Sequence, residues 1–132
     1  MKKIFTIFMA VAMIFALCTL SVSAASAARE EGDLNSNVWY SVVANVGPYA
    51  GFAGSIGRSD TGDIQIETFC ASENANGEWV QNSKWSGIGS EVSNTVYTSG
   101  TDLISTCTEH HYYFNGAYVD TITLDVFLGS DI

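Results

Sequence analysis

Basic residues are almost missing from this chain. Five Lys and Arg stand against 14 Asp and Glu, a formal net charge of −9. Nucleic acid and anionic membrane surfaces are polyanions, so a chain of this charge is expected to be repelled by both. Cysteine is scarce too. There are three, with no CxxC pair, which removes the spacing grammar of a zinc site. The single proline, Pro48, leaves most of the chain free of strand breakers. Beyond the first residues no window sustains a 3.6-residue apolar period, so no helix is expected there. No pattern marks a catalytic nucleophile.

What is present begins with an export signal. Met1-Lys2-Lys3 is a short basic start, Ile4 to Leu20 is an uncharged apolar run, and Ser21 to Ala28 is rich in small residues. That order is the grammar of a secretory signal, helical in its apolar part, with a cut expected after Ala27. Leu17 precedes Cys18 where a lipoprotein signal needs a small residue, so no lipid anchor is expected. Loss of Lys2 and Lys3 leaves Arg29, Arg58 and Lys84 against all 14 acids and takes the net charge from −9 to −11. The expected layout is a signal peptide over 1–27, a polar flexible leader over 28–37 and one domain over 38–132. The domain is expected outside the cell, with no stable membrane insertion after the cut.

The domain reads as strands. Val38 to Val46, Asp63 to Ala71, Glu78 to Ser86 and Glu91 to Thr98 are β-branched, aromatic or cleanly alternating. Tyr49 to Gly57 is glycine-rich and reads as a strand or a loop. Thr101 to Phe114 and Ala117 to Leu128 flank Asn115-Gly116, the pair that favours a two-residue type I′ hairpin. Counting from that turn sets Phe114 opposite Ala117, Tyr113 opposite Tyr118, His111 opposite Asp120 and Cys107 opposite Leu124. On that register Cys107 shares the buried face with Ile122, Leu124 and Val126. Cys70 lies on the apolar face of its own strand, with Ile64 and Ile66. Two inward cysteines in an oxidising compartment read as a disulfide, which contributes roughly 4 kcal/mol on the chain-entropy account. The fold class is all-β: a small antiparallel β-sandwich, or partly open barrel, of about six to eight strands with one disulfide.

Four constellations carry candidate chemistry. Asp60-Thr61-Gly62 matches the core triplet of aspartic proteases, but Arg58-Ser59 replaces the apolar lead-in, and the tetrad Asp-Thr-Gly-Asp is common turn chemistry. His110-His111 with Glu109 and Asp120 is the densest titratable cluster. Adjacent strand residues point to opposite faces, so the two histidines cannot share a metal, and His111–Asp120 is the expected contact. Trp79, Trp85, Tyr112 and their aromatic neighbours divide between core and a platform on which sugar rings could stack. Asp60, Asp63 and Glu67 are weak candidates for calcium, which wants six or more oxygens.

These readings lead to a secreted, acidic, non-enzymatic binding domain for an extracellular protein or a cell-envelope component. The alternatives are a carbohydrate- or calcium-binding module and a small secreted hydrolase. The layout, an export signal ahead of a small Gly/Ser/aromatic-rich β domain, resembles that of small bacterial secreted bacteriocins of the lactococcin type. The likeness is one of layout, with no motif aligned.

Overall fold

The computed structural model describes residues 26–129. The apolar run, Cys18 and the small-residue stretch up to Ala25 lie outside them. The described residues form eight strands and no helix: β1 Ser26–Asp33, β2 Trp39–Val46, β3 Ala50–Arg58, β4 Ile64–Asn74, β5 Trp79–Trp85, β6 Glu91–Ser99, β7 Leu103–Phe114 and β8 Ala117–Phe127. They make two four-stranded antiparallel sheets. The first has the order β1-β2-β3-β6 and the second β5-β4-β7-β8. The sheets pack face to face, with β3 and β6 over β4 and with β2 over β7 and β8.

The segment expected to be a leader contributes the edge of the first sheet. Ala28 to Asp33 belongs to β1, which pairs with β2 along its whole length. Polar composition reports exposure there, because an edge strand needs only backbone partners on one side. Arg29, Glu30 and Glu31 are exposed. The Tyr40 hydroxyl donates to Glu30 Oε2 at 2.8 Å and ties the strand down.

The apolar core lies at the two ends of the sandwich. Val38, Val42, Ile64, Ile66, Tyr112 and Ile122 fill one end. Ala44, Val46, Leu103 and Val126 fill the other. Between them the inner layer is polar and small. β3 turns Gly51, Ala53, Ser55 and Gly57 inward, and a Cβ on Gly51 would collide with the hydroxyls of Ser72, Thr98 and Thr106. Those three hydroxyls bond in a chain, Thr98 to Ser72 at 2.6 Å and Ser72 to Thr106 at 2.8 Å. Hydroxyls can be both donor and acceptor, so such a chain buries polar atoms without leaving any unpaired.

The Asn115-Gly116 turn forms as expected, with φ of 48° and 82°. Phe114 pairs with Ala117 and Tyr113 with Tyr118. Then the count fails. Tyr112 pairs with Asp120, leaving Val119 as an extra residue on β8. Beyond this bulge His111 lies opposite Thr121, His110 opposite Ile122 and Cys107 opposite Asp125. Ile122 and Val126 still bury, as alternation requires, but β7 shows the core its other face: Thr106, Thr108, His110 and Tyr112. The expected His111–Asp120 pair therefore does not form. The alternative register would put Glu109 and His111 between the sheets, where an ionised carboxylate is costly.

The same shift removes the expected disulfide. Cys70 and Cys107 are free. Cys70 pairs with Thr108 and faces the core, whereas Cys107 pairs with Ala71 and faces outward. Side chains on opposite faces of one sheet cannot bond without turning a strand over. Burial pushes the Cys70 thiol up to about 11, against hydrogen bonds from Thr98 and Ser72 that lower it. Burial, then the Asp125 carboxylate, pushes Cys107 up to about 12.

Candidate binding face

The outer face of the second sheet gathers aromatic side chains that the hairpin and the edge strand bring side by side. Trp85 on β5 lies opposite Glu67 on β4, which lies opposite His111 on β7, which lies opposite Thr121 on β8. Next to that row stand Gln65, Tyr113 and Tyr118. The rings touch in sequence. Trp85 and Tyr113 have centroids 5.3 Å apart, Tyr113 and Tyr118 5.8 Å in a T-shaped contact, His111 and Tyr118 6.4 Å, and Phe69 and His111 5.0 Å. Trp85 is 48 % and Tyr118 55 % exposed, so the rings pack by their edges and still offer surface to solvent.

Polar groups border this row. His111 Nε2 stands 2.9 Å from Glu109 Oε1 on the same strand face. Tyr118 and Thr121 share a hydroxyl bond of 2.7 Å. Beside Phe69 a shallow depression of about 430 Å³ is lined by Ala71, Gln81, Ser83, Cys107 and Glu109. All seven residues of β5 are exposed. Trp79, 55 % exposed, turns to the same outer face as Trp85, six residues and roughly 20 Å along the strand. The face thus has a ring cluster at one end, a shallow hollow of mixed polar and apolar lining in the middle and a lone indole at the other end.

Of the residues expected to bind, Trp85 and His111 meet in the cluster and Trp79 lies on the same face. Tyr112 does not join them. It is fully buried, its hydroxyl donates to the Ile56 carbonyl at 2.6 Å, and burial holds its phenol well above the ordinary range. Asp120 is exposed and accepts the Thr121 N–H at 2.8 Å. Asp60 is bound to Arg58 at 3.0 Å, and Ser59 Oγ accepts the N–H groups of Thr61 and Gly62, so the Asp-Thr-Gly triplet sits in a tight turn. The Asp63 N–H donates to Asn115 Oδ1, and Glu67 belongs to the outer face of β4. Among the described residues no three His, Cys, Asp or Glu come together as a metal site.

Sequence reasoning named His110 in the titratable cluster but put it on the face away from the core. It sits between the sheets at 0 % exposure, with Ser55 Oγ 2.5 Å from Nδ1 and Thr108 Oγ1 2.8 Å from Nε2. Ser55 also bonds Thr68, which accepts from Asn94. Burial pushes the imidazole down to about 3. A serine on an imidazole has the form of a nucleophile and its base. Ser55 is likewise 0 % exposed, so this pair meets no substrate and serves packing. Its signal in the sequence was the alternation Thr106, Thr108, His110, a polar stripe that reads as solvent-facing. The chain matches no protein-family model and no curated protein sequence, so the geometry alone carries the functional argument.

Proposed function

We propose that this chain is a secreted, non-enzymatic binding domain whose outer second-sheet face takes a neutral glycan of a cell envelope. The observation that carries the reading is the unbroken ring contact from Phe69 through His111, Tyr118 and Tyr113 to Trp85 on one open face. Sugar rings stack their C–H faces on aromatic side chains while hydroxyls bond to polar groups at the border. Gln65, Gln81, Ser83, Thr121 and Thr123 supply that border. Glu67, Glu109 and Asp125 on the same face repel polyanions, which favours an uncharged chain. A protein partner is the second reading, because Trp and Tyr dominate interface hot spots.

A glycan array followed by calorimetry tests the proposal. Trp85→Ala and Tyr118→Ala are each expected to weaken glycan binding roughly three- to tenfold, the worth of one stacked ring. Both residues are about half exposed, so each variant should stay folded and lose at most about 1 kcal/mol through its ring contacts. Binding of no glycan, or undiminished binding by both variants, would refute the glycan reading.

A further inference from the structure

The ring cluster is one end of a longer trough. Cross-strand partners point to the same side of a sheet, so the pairing sets the outer face of the second sheet in rows. The row at the cluster holds Trp85, Glu67, His111 and Thr121. The row at the far end holds Trp79, Glu73, Ser105 and Phe127. Trp79 is 55 % and Phe127 61 % exposed, so this end also shows rings to solvent. Between the two rows β4 turns Phe69 and then Ala71 outward. Phe69 touches His111 in the cluster and also lines the hollow, so cluster and hollow are continuous. Ala71 is the smallest side chain on this face, and its size opens the hollow. Gln81 and Ser83 stand on the β5 side of it, and Cys107 and Glu109 on the β7 side.

The trough follows β4 for six residues, roughly 20 Å at ~3.3 Å each. Its floor is apolar, its β5 wall carries neutral hydrogen-bonding groups, and an indole stands at each end. Among the described residues the outer positions of β5, β4, β7 and β8 hold no Lys or Arg, whereas Glu67, Glu73, Glu109 and Asp125 are acidic. A single sugar ring is about as wide as one aromatic ring and covers one end alone. We propose that the occupant is a linear neutral oligosaccharide lying along β4, stacked on Trp85 and its ring neighbours at one end and on Trp79 at the other, which rests on the glycan reading of this face and adds the ligand's length and direction. Once the first end has stacked, the second contact is intramolecular. It contributes nothing while the chain is too short to reach, and appears when the chain spans the trough. A glycan that instead crossed the strands from Trp85 to Tyr118 would never meet Trp79.

Calorimetry of the full chain with neutral ladders tests this. The probes are β-1,4-linked glucose, mannose and N-acetylglucosamine and α-1,4-linked glucose, each from the monosaccharide to the hexasaccharide. In a ladder that binds, the hexasaccharide should bind more tightly than the disaccharide. Trp79→Ala is expected to weaken the hexasaccharide roughly three- to tenfold, the worth of one stacked ring, and to leave the disaccharide unchanged. Trp79 is half exposed, so this variant should stay folded. Ala71→Gln, which fills the trough without adding charge, should also weaken the hexasaccharide alone. Trp85→Ala should weaken both sugars. Equal affinity for the two sugars, or a hexasaccharide indifferent to Trp79→Ala and Ala71→Gln, would overturn the trough; loss of binding in Trp85→Ala would still uphold the glycan reading. If no ladder binds, the linear occupant is overturned, and the glycan array, which includes branched sugars, decides the wider reading separately.

Discussion

Acid should unfold this protein through one side chain. His110 is neutral in the folded state because burial, and secondarily the neighbouring His111, holds it down to about 3. In the unfolded chain it titrates near ~6.5. Above that value neither state binds the proton and His110 adds no pH dependence. Below it the unfolded state is protonated and the folded state is not, so stability falls with pH until about 3. Each unit is worth about 1.4 kcal/mol, so by pH 4.5 the loss is about 2–3 kcal/mol, and the full gap approaches 5. That is a large fraction of the ~5–15 kcal/mol that holds a domain together. The carboxylates titrate as well, so the measurement is a difference. Urea unfolding of wild type and His110→Gln from pH 7.5 to 4.5 isolates the imidazole. The variant starts less stable, by about 1–3 kcal/mol, because its amide cannot repeat both hydroxyl bonds. The gap between the two should narrow by about 2–3 kcal/mol as pH falls. A gap that stays constant would mean that His110 is hydrated or charged in the fold, and the buried hydroxyl network would be wrong.

The cysteines should be thiols and slow ones. Reduction should leave the intact mass unchanged, and iodoacetamide should reach Cys107 before Cys70; a gain of two hydrogens on reduction would refute the face assignment of β7. Gly51→Val should destabilise by about 1–3 kcal/mol through overpacking against Ser72, Thr98 and Thr106, measured by thermal melting. An unchanged melting temperature would mean that the sheets stand further apart. Deleting Val119 removes the bulge residue while keeping every pair from Tyr112–Asp120 onward, so the variant should fold with the same faces and lose about 1 kcal/mol of partial valine burial. Loss of folding would show that the bulge sets the register rather than accommodating it.

Strand positions were legible because alternation survives wherever one face is apolar. Ile64, Ile66 and Cys70 bury on β4 as read, and so do Ile122 and Val126 on β8. Legibility failed where the inner face is itself polar. On β7 the buried set is Thr106, Thr108 and His110, and the outward set is Cys107, Glu109 and His111, so neither stripe looks more like a core. The choice then rested on counting from the turn, and one extra residue at Val119 reversed it. β1 escaped for a related reason: its side chains carry no burial signal, and its order comes from backbone pairing with β2. The candidate face was half legible. Trp79, Trp85 and His111 are on it, but Tyr112 exchanged places with Tyr113 because adjacent residues on a strand face opposite ways.

The sheet order also sets a timetable for the nascent chain. β3 has β2 on one side but waits for β6 on the other, and β4 has β5 but waits for β7. The first wait spans the β4–β5 hairpin of the second sheet, and the second spans β5 and the single strand β6, so the two layers close over one another late. A polypeptide emerging from its N-terminus completes the strands of the first sheet at Ser99, while β4 keeps an open edge until Phe114 has been made. Such non-local pairing places the domain among folders on the millisecond-to-second scale. In that interval the inward side of β3, lined by Gly51, Ser55 and Gly57, is the least sticky of its surfaces, and the inward isoleucines of β4, Ile64 and Ile66, are the ones that need shelter.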